Sequence, residues 1–187
     1  MHRRLLVAMF LLAGCTVTPP HGDCVARPTS ELWAACLAQS CAACECLSTQ
    51  GNTGGHASPY VASLTSALEK GRECQADLAV SLLPTLSGGD LEDVTRALGE
   101  MADHWPENFL RVVKRQHLDQ RRIQRIVRML PLSVVDDDAG RLRAVRERAS
   151  ALSRVDDASL LEVRDIAVRG LNQYEEELAR RVDADKK

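Results

Sequence analysis

Seven cysteines carry the most reactive chemistry of this 187-residue chain. Cys15 stands apart near the start, and Cys24, Cys36, Cys41, Cys44, Cys46 and Cys74 follow in the first half. A thiolate ligates soft metals, and two thiols joined by oxidation staple a chain. Carboxylates come in runs, Asp136-Asp137-Asp138 and Asp156-Asp157, while Glu100, Asp103 and Glu107 flank Trp105. A carboxylate pair cleaves a glycosidic bond only if an apolar cleft keeps one partner protonated. The two aspartate runs stand where helices are expected to begin, and a helix N-terminus favours negative charge without catalysis. Five histidines, His2, His21, His56, His104 and His117, lack the paired helical spacing of a zinc site. No nucleophile elbow, phosphate loop or dinucleotide fingerprint occurs. One basic run stands out: Arg111, Lys114, Arg115, Arg121, Arg122, Arg125 and Arg128, opposed by Asp119. Helical spacing places Arg121, Arg125 and Arg128 on one face. Such a stripe is either a solvated face or a surface for an acidic protein or a phosphate-bearing envelope polymer.

The first residues set the compartment in which those thiols would work. Met1-His2-Arg3-Arg4 is a short basic start, followed by an apolar run from Leu5 to Leu12. A bilayer span needs about 20 apolar residues, so this run reads as a secretory signal rather than a span. Leu12-Ala13-Gly14-Cys15 resembles the lipobox of bacterial lipoproteins. The resemblance implies cleavage before Cys15 and diacylglycerol on its thiol, a durable anchor, since each buried CH₂ adds about 0.8 kcal/mol. Thr16, where an Asp would favour inner-membrane retention, fits the outer-membrane pattern facing the periplasm.

In that oxidising compartment the six remaining cysteines form an even set, which implies disulfides whose pairing the spacing does not choose. Cys36-x4-Cys41-x2-Cys44 with Cys74 also has the spacing of plant-type ferredoxins. The intervening Leu37-Ala38-Gln39-Ser40 lacks the glycines that let backbone amides wrap a cluster. Disulfides are therefore expected, with neither metal nor cofactor.

The elements that position these groups read as helices. Aromatic residues are 3% of the chain against 45% hydrophobic, mostly Leu, Ala and Val, which disfavours a sheet sandwich. After the signal (1–14) and a Pro- and Gly-containing tether with the lipidated cysteine (15–30), a Cys-rich helical part (31–86) and a further helical part (87–187) are expected. Thr29 or Ser30 would cap one helix through about Leu47, carrying its cysteines inward. Residues 48–58 read as a loop, and Ser58-Pro59 starts a helical segment broken at Gly71. Asp90 would cap the next helix, and Pro106 starts another. A stripe of Leu118, Ile123, Ile126, Val127 and Leu130 is stopped by Pro131. Asp136-Asp137-Asp138 and Asp156-Asp157 open the last two helices, the final one striped by Leu160, Val163, Ala167, Leu171, Tyr174, Leu178 and Val182. The expected fold is all-α: six to seven antiparallel helices in a bundle or a HEAT-like hairpin stack.

Leu98-Gly99-Glu100-Met101, then Pro106-Glu107-Asn108-Phe109-Leu110, then a capped helical pair ending near Leu171 make residues 90–172 resemble uncharacterised proteobacterial exported helical proteins. That resemblance implies no activity. Net charge is -2, and with export it argues against nucleic acid as a partner. The expectation is a non-enzymatic module held to the membrane by lipid, with a periplasmic protein as partner. An immunity protein against a secreted toxin is one version; a small peptidoglycan-active enzyme and a structural envelope component are the alternatives.

Overall fold

A computed structural model describes residues 28–49 and 57–184. Cys15, Cys24, His2, His21, His56, the signal segment and the tether up to residue 27 lie outside the described residues. Within them the chain is all helical, with two disulfides in the N-terminal part. Nine α-helices follow in order: α1 (Thr29–Leu37), α2 (Cys41–Thr49), α3 (Val61–Glu69), α4 (Glu73–Leu82), α5 (Gly88–His104), α6 (Pro106–Arg115), α7 (Gln120–Val127), α8 (Asp138–Ser153) and α9 (Leu161–Ala184).

The expected single helix through Leu47 is two. The chain turns at Gln39, whose φ of 81° is left-handed. Ser40 N–H then reaches back to the Ala35 carbonyl at 2.9 Å, and Gln39 N–H to Cys36 at 2.9 Å. Ser40 Oγ accepts from Ala43 N–H at 3.3 Å and starts α2. Pro28, not Thr29 or Ser30, precedes the first turn of α1, with no side-chain cap. The hairpin lets Cys36 meet Cys44, while Cys41, exposed at the start of α2, joins Cys74 on α4. Ser48 and Thr49 belong to α2 rather than to the expected loop. Ser87, not Asp90, precedes α5, and Asp90 lies in its first turn.

Other signals hold. Pro106 is at the first position of α6. Asp119, which gave no such expectation, accepts a backbone N–H at the start of α7; Asp137 and Asp157, from the two aspartate runs, do the same at the start of α8 and of the 3-10 turn Ala158–Leu160. That bond, with one from the Ser159 hydroxyl leading, holds Asp157 below its ordinary value.

One apolar core runs from Leu32 on α1 to Leu178 on α9. Long helix α5 is its axis, packed against α3, α6, α7 and α8, while α9 lies along α7 and α8. Trp33 is fully buried and stacks on Tyr60 at 4.8 Å. Each such large apolar side chain contributes about 1.5–3 kcal/mol by leaving water.

Two close approaches explain the runs singled out above. Gly99 faces the end of α7, where a Cβ would lie 2.5 Å from the Met129 carbonyl oxygen. Gly71 has φ 69°, and a Cβ there would lie 2.5 Å from the Trp105 ring. Trp105 Nε1 donates to the Glu69 carbonyl at 3.1 Å, and Asn108 Nδ2 to the Gly71 carbonyl at 2.9 Å. The segment that begins α6 therefore clasps the α3–α4 connection.

Candidate functional site

The basic run does not form one surface. Arg111 bonds Glu107 and meets Glu73 at 3.2 Å. Arg115 pairs with Asp77 at 2.7 Å and Glu73 at 3.3 Å. Burial opposes the charge of Arg115, yet the hydrogen bonds and charges of Asp77 and Glu73 outweigh it and raise its pKa further. Lys114 donates to the Ser159 carbonyl at 2.8 Å. Arg128 turns away from Arg121 and Arg125 toward α9, where it lies over the Tyr174 ring at 5.3 Å and meets Glu177 at 3.5 Å. These four knit helices together.

Arg121, Arg122 and Arg125 remain exposed on α7. Arg122 is 3.7 Å from Asp119, a loose exposed pair; Arg121 and Arg125 meet no charged partner among the described residues. Arg122 and Arg125 stand at a pocket of about 210 Å³ between the end of α4, the start of α5 and α7. Val80, Leu83, Pro84, Leu91, Leu118 and Ile126 supply its apolar wall. The site arises because α7 is amphipathic: Ile123, Ile126 and Val127 go to the core, so the arginines between them must edge it. An apolar recess beside the unpaired Arg125 guanidinium suits an apolar group that carries a carboxylate or phosphate. Sequence reasoning named both arginines; the pocket depends on Val80, Leu83 and Leu91, brought from distant helices.

The carboxylates around Trp105 part company. Asp103 is bound by Arg148 through two bonds of 2.6 Å, and Glu107 is bound by Arg111. Glu100 instead lines an open groove of about 380 Å³ with Glu69, Asp93 and Arg96. Burial and the neighbouring charge of Glu69 raise its pKa above the ordinary 4.5. His104 ends α5, and exposed His117 has φ 48° in the connection after α6. Among the described residues no cluster of three metal-ligating side chains forms.

Among the described residues the cysteines are all disulfide-bonded. Cys36–Cys44 and Cys41–Cys74 are formed, and Cys46 is disulfide-bonded as well. Arg148, which no sequence pattern singled out, is the most buried charge among the described residues: its side chain is 0% exposed. Besides Asp103 it donates to the carbonyls of Val127 at 2.7 Å and Met129 at 2.8 Å, closing the C-terminal end of α7.

No protein-family model, curated protein or solved structure matches this chain. No described helix is long and apolar enough to cross a membrane.

Proposed function

We propose that this chain is a lipid-anchored protein of the bacterial envelope, facing the periplasm, that acts by binding another protein. The observation that carries the binding reading is the pocket beside Arg122 and Arg125. Most of the other basic side chains nearby are engaged in ion pairs or hydrogen bonds within the fold, whereas Arg125 faces solvent at the edge of an apolar recess. The lipobox-like Leu12-Ala13-Gly14-Cys15 and the disulfide-bonded cysteines support the envelope location. Neutralisation of an incoming toxin is one task that suits such a module, and protection of cells against a toxin encoded beside it would test that version.

The binding test is crosslinking of the lipidated full chain in intact envelopes, with partners read by mass spectrometry. Wild type captures a partner that Arg122→Glu/Arg125→Glu loses. Equal capture by both chains rules this surface out.

A second reading, a peptidoglycan-active enzyme, is favoured by one observation: Glu100 keeps its proton more readily than an ordinary carboxyl and faces an open groove beside Glu69. Muropeptide release that disappears in Glu100→Gln would establish it; no release from wild type would dismiss it.

A further inference from the structure

The pocket beside Arg122 and Arg125 is small. Sites for small molecules usually span about 300–1,000 Å³, and this one is about 210 Å³. It has room for one branched apolar side chain, with a charge waiting at the edge. The same chain displays an apolar knob beside an acid. In the turn between α7 and α8, Leu132 is 67% exposed and Val135 43% exposed, the former the most exposed large apolar side chain described. Asp136 follows them, exposed and with no partner among the described residues.

The knob is rigid. Val135 N–H bonds the Leu132 carbonyl at 3.2 Å, Val134 N–H bonds Pro131 at 3.2 Å, and Asp137 N–H bonds Val134 at 3.2 Å. A pre-ordered loop loses little entropy on docking. Neighbouring Asp137 and Asp138 are already used, the first capping α8 and the second pairing with Arg141. Asp136 is therefore the free acid of the run.

Knob and pocket cannot meet within one molecule. Leu91 and Thr95 of α5 line the pocket, whereas Asp93, Ala97 and Glu100 line the groove in which Leu132 lies. At 3.6 residues per turn these two sets point to opposite sides of α5. We propose that the pocket receives residues 132–136 of a second copy of this chain, Leu132 filling the apolar recess and Asp136 pairing with Arg125. This rests on the reading of the pocket as an interaction surface and names its occupant. The contact is head-to-tail, so each copy offers a free knob at one end and a free pocket at the other, and copies add in rows or close into a ring.

The test is sedimentation of the lipidated full chain in excess detergent micelles. Wild type is expected to associate beyond a dimer as concentration rises. Arg122→Glu/Arg125→Glu keeps the knob and loses the pocket; Leu132→Ser/Asp136→Asn keeps the pocket and loses the knob. Each alone is expected to associate at least about tenfold more weakly, the effect of losing about 1.4 kcal/mol. Mixed together, the two are expected to form a one-to-one dimer that grows no further. A monomeric wild type overturns the proposal, as does a mixture that stays monomeric while wild type associates. Association that disappears only when the lipid is removed overturns it too, by locating contact in the acyl chains. If wild type is monomeric but the arginine variant loses an envelope partner, the pocket belongs to that protein: the second-copy proposal fails and the binding function stands.

Discussion

At the scale of single residues, Arg148 decides more than any other charge. Its guanidinium lies out of water, and five donors must find acceptors there. Asp103 and the carbonyls of Val127 and Met129 supply four bonds. Arg148→Ala would strand the Asp103 carboxylate, which is only 25% exposed, along with two carbonyls. The expected loss is about 3–5 kcal/mol, seen as a lower urea midpoint. Arg148→Met/Asp103→Leu removes both charges and is expected to lose less than Arg148→Ala, because no charge is left alone. A double replacement that costs the sum of the two singles would show that the pair does not act as a unit. Gly99 belongs to the same joint, since a Cβ there would also stand 3.0 Å from Arg148 Nη1. Glu100, one residue on, carries a pH signature. Its folded pKa is raised by burial and by Glu69, so the folded chain holds its proton more tightly than the unfolded chain does. Stability contributed this way is present below the ordinary value of 4.5 and is lost as pH rises through the raised one. Glu100→Gln is expected to raise the melting temperature at pH 7, with the gain vanishing as pH falls below that window. A gain of equal size at all pH values would refute the electrostatic cause.

At the scale of elements, three helix ends share one geometry and differ in legibility. After α3, α1 and α6 the chain enters the left-handed region at Gly71, Gln39 and His117, with φ 69°, 81° and 48°. In each case the next amide reaches back five residues: Arg72 to Ala67, Ser40 to Ala35, Leu118 to Val113. Such caps favour glycine. Gly71 was therefore readable as a break, and Pro106 and the aspartate runs as starts, because each has one dominant backbone use. Gln39 gives no such signal, so α1 and α2 read as one helix and the cysteines seemed to share one face. The break is enforced from outside: Gln75, buried on α4, donates to the Cys36 carbonyl at 2.5 Å, and Arg72 to Leu37 at 3.4 Å. Local composition does not contain those partners. The pocket was half legible for a similar reason, its arginines lying on one short helix and its apolar wall on two others. Gln39→Gly should relieve a left-handed strain of about 1–2 kcal/mol and give back about 0.5–1 kcal/mol to the flexibility of the unfolded chain. The net expectation is a gain of roughly 0.5 kcal/mol, with His117→Gly behaving alike. Loss of stability at Gln39 would mean that its side chain, rather than its backbone, secures the turn.

At the scale of the whole molecule, the α1–α2 hairpin is too small to keep a core of its own and is tied to the rest by sulfur. Cys41–Cys74 spans 33 residues and Cys36–Cys44 spans 8. Loop entropy then assigns about 3–4 kcal/mol to the first and about 2–3 to the second. Paired replacement by alanine is expected to follow that order in chemical denaturation, and the reverse order would show that hairpin packing, not chain entropy, governs. Cys46 extends the argument to the membrane. It is disulfide-bonded, while Cys36, Cys41, Cys44 and Cys74 are paired among themselves. Cys15 and Cys24 are the remaining cysteines of the chain. A lipid-bearing Cys15 has its sulfur in a thioether and forms no disulfide, which leaves Cys24 for Cys46. Non-reducing peptide mapping of protein recovered from cells is expected to find Cys24 joined to Cys46 and an acylated Cys15 at the N-terminus. A Cys15–Cys46 bridge would leave no thiol for the lipid, and the chain would then be exported without an anchor.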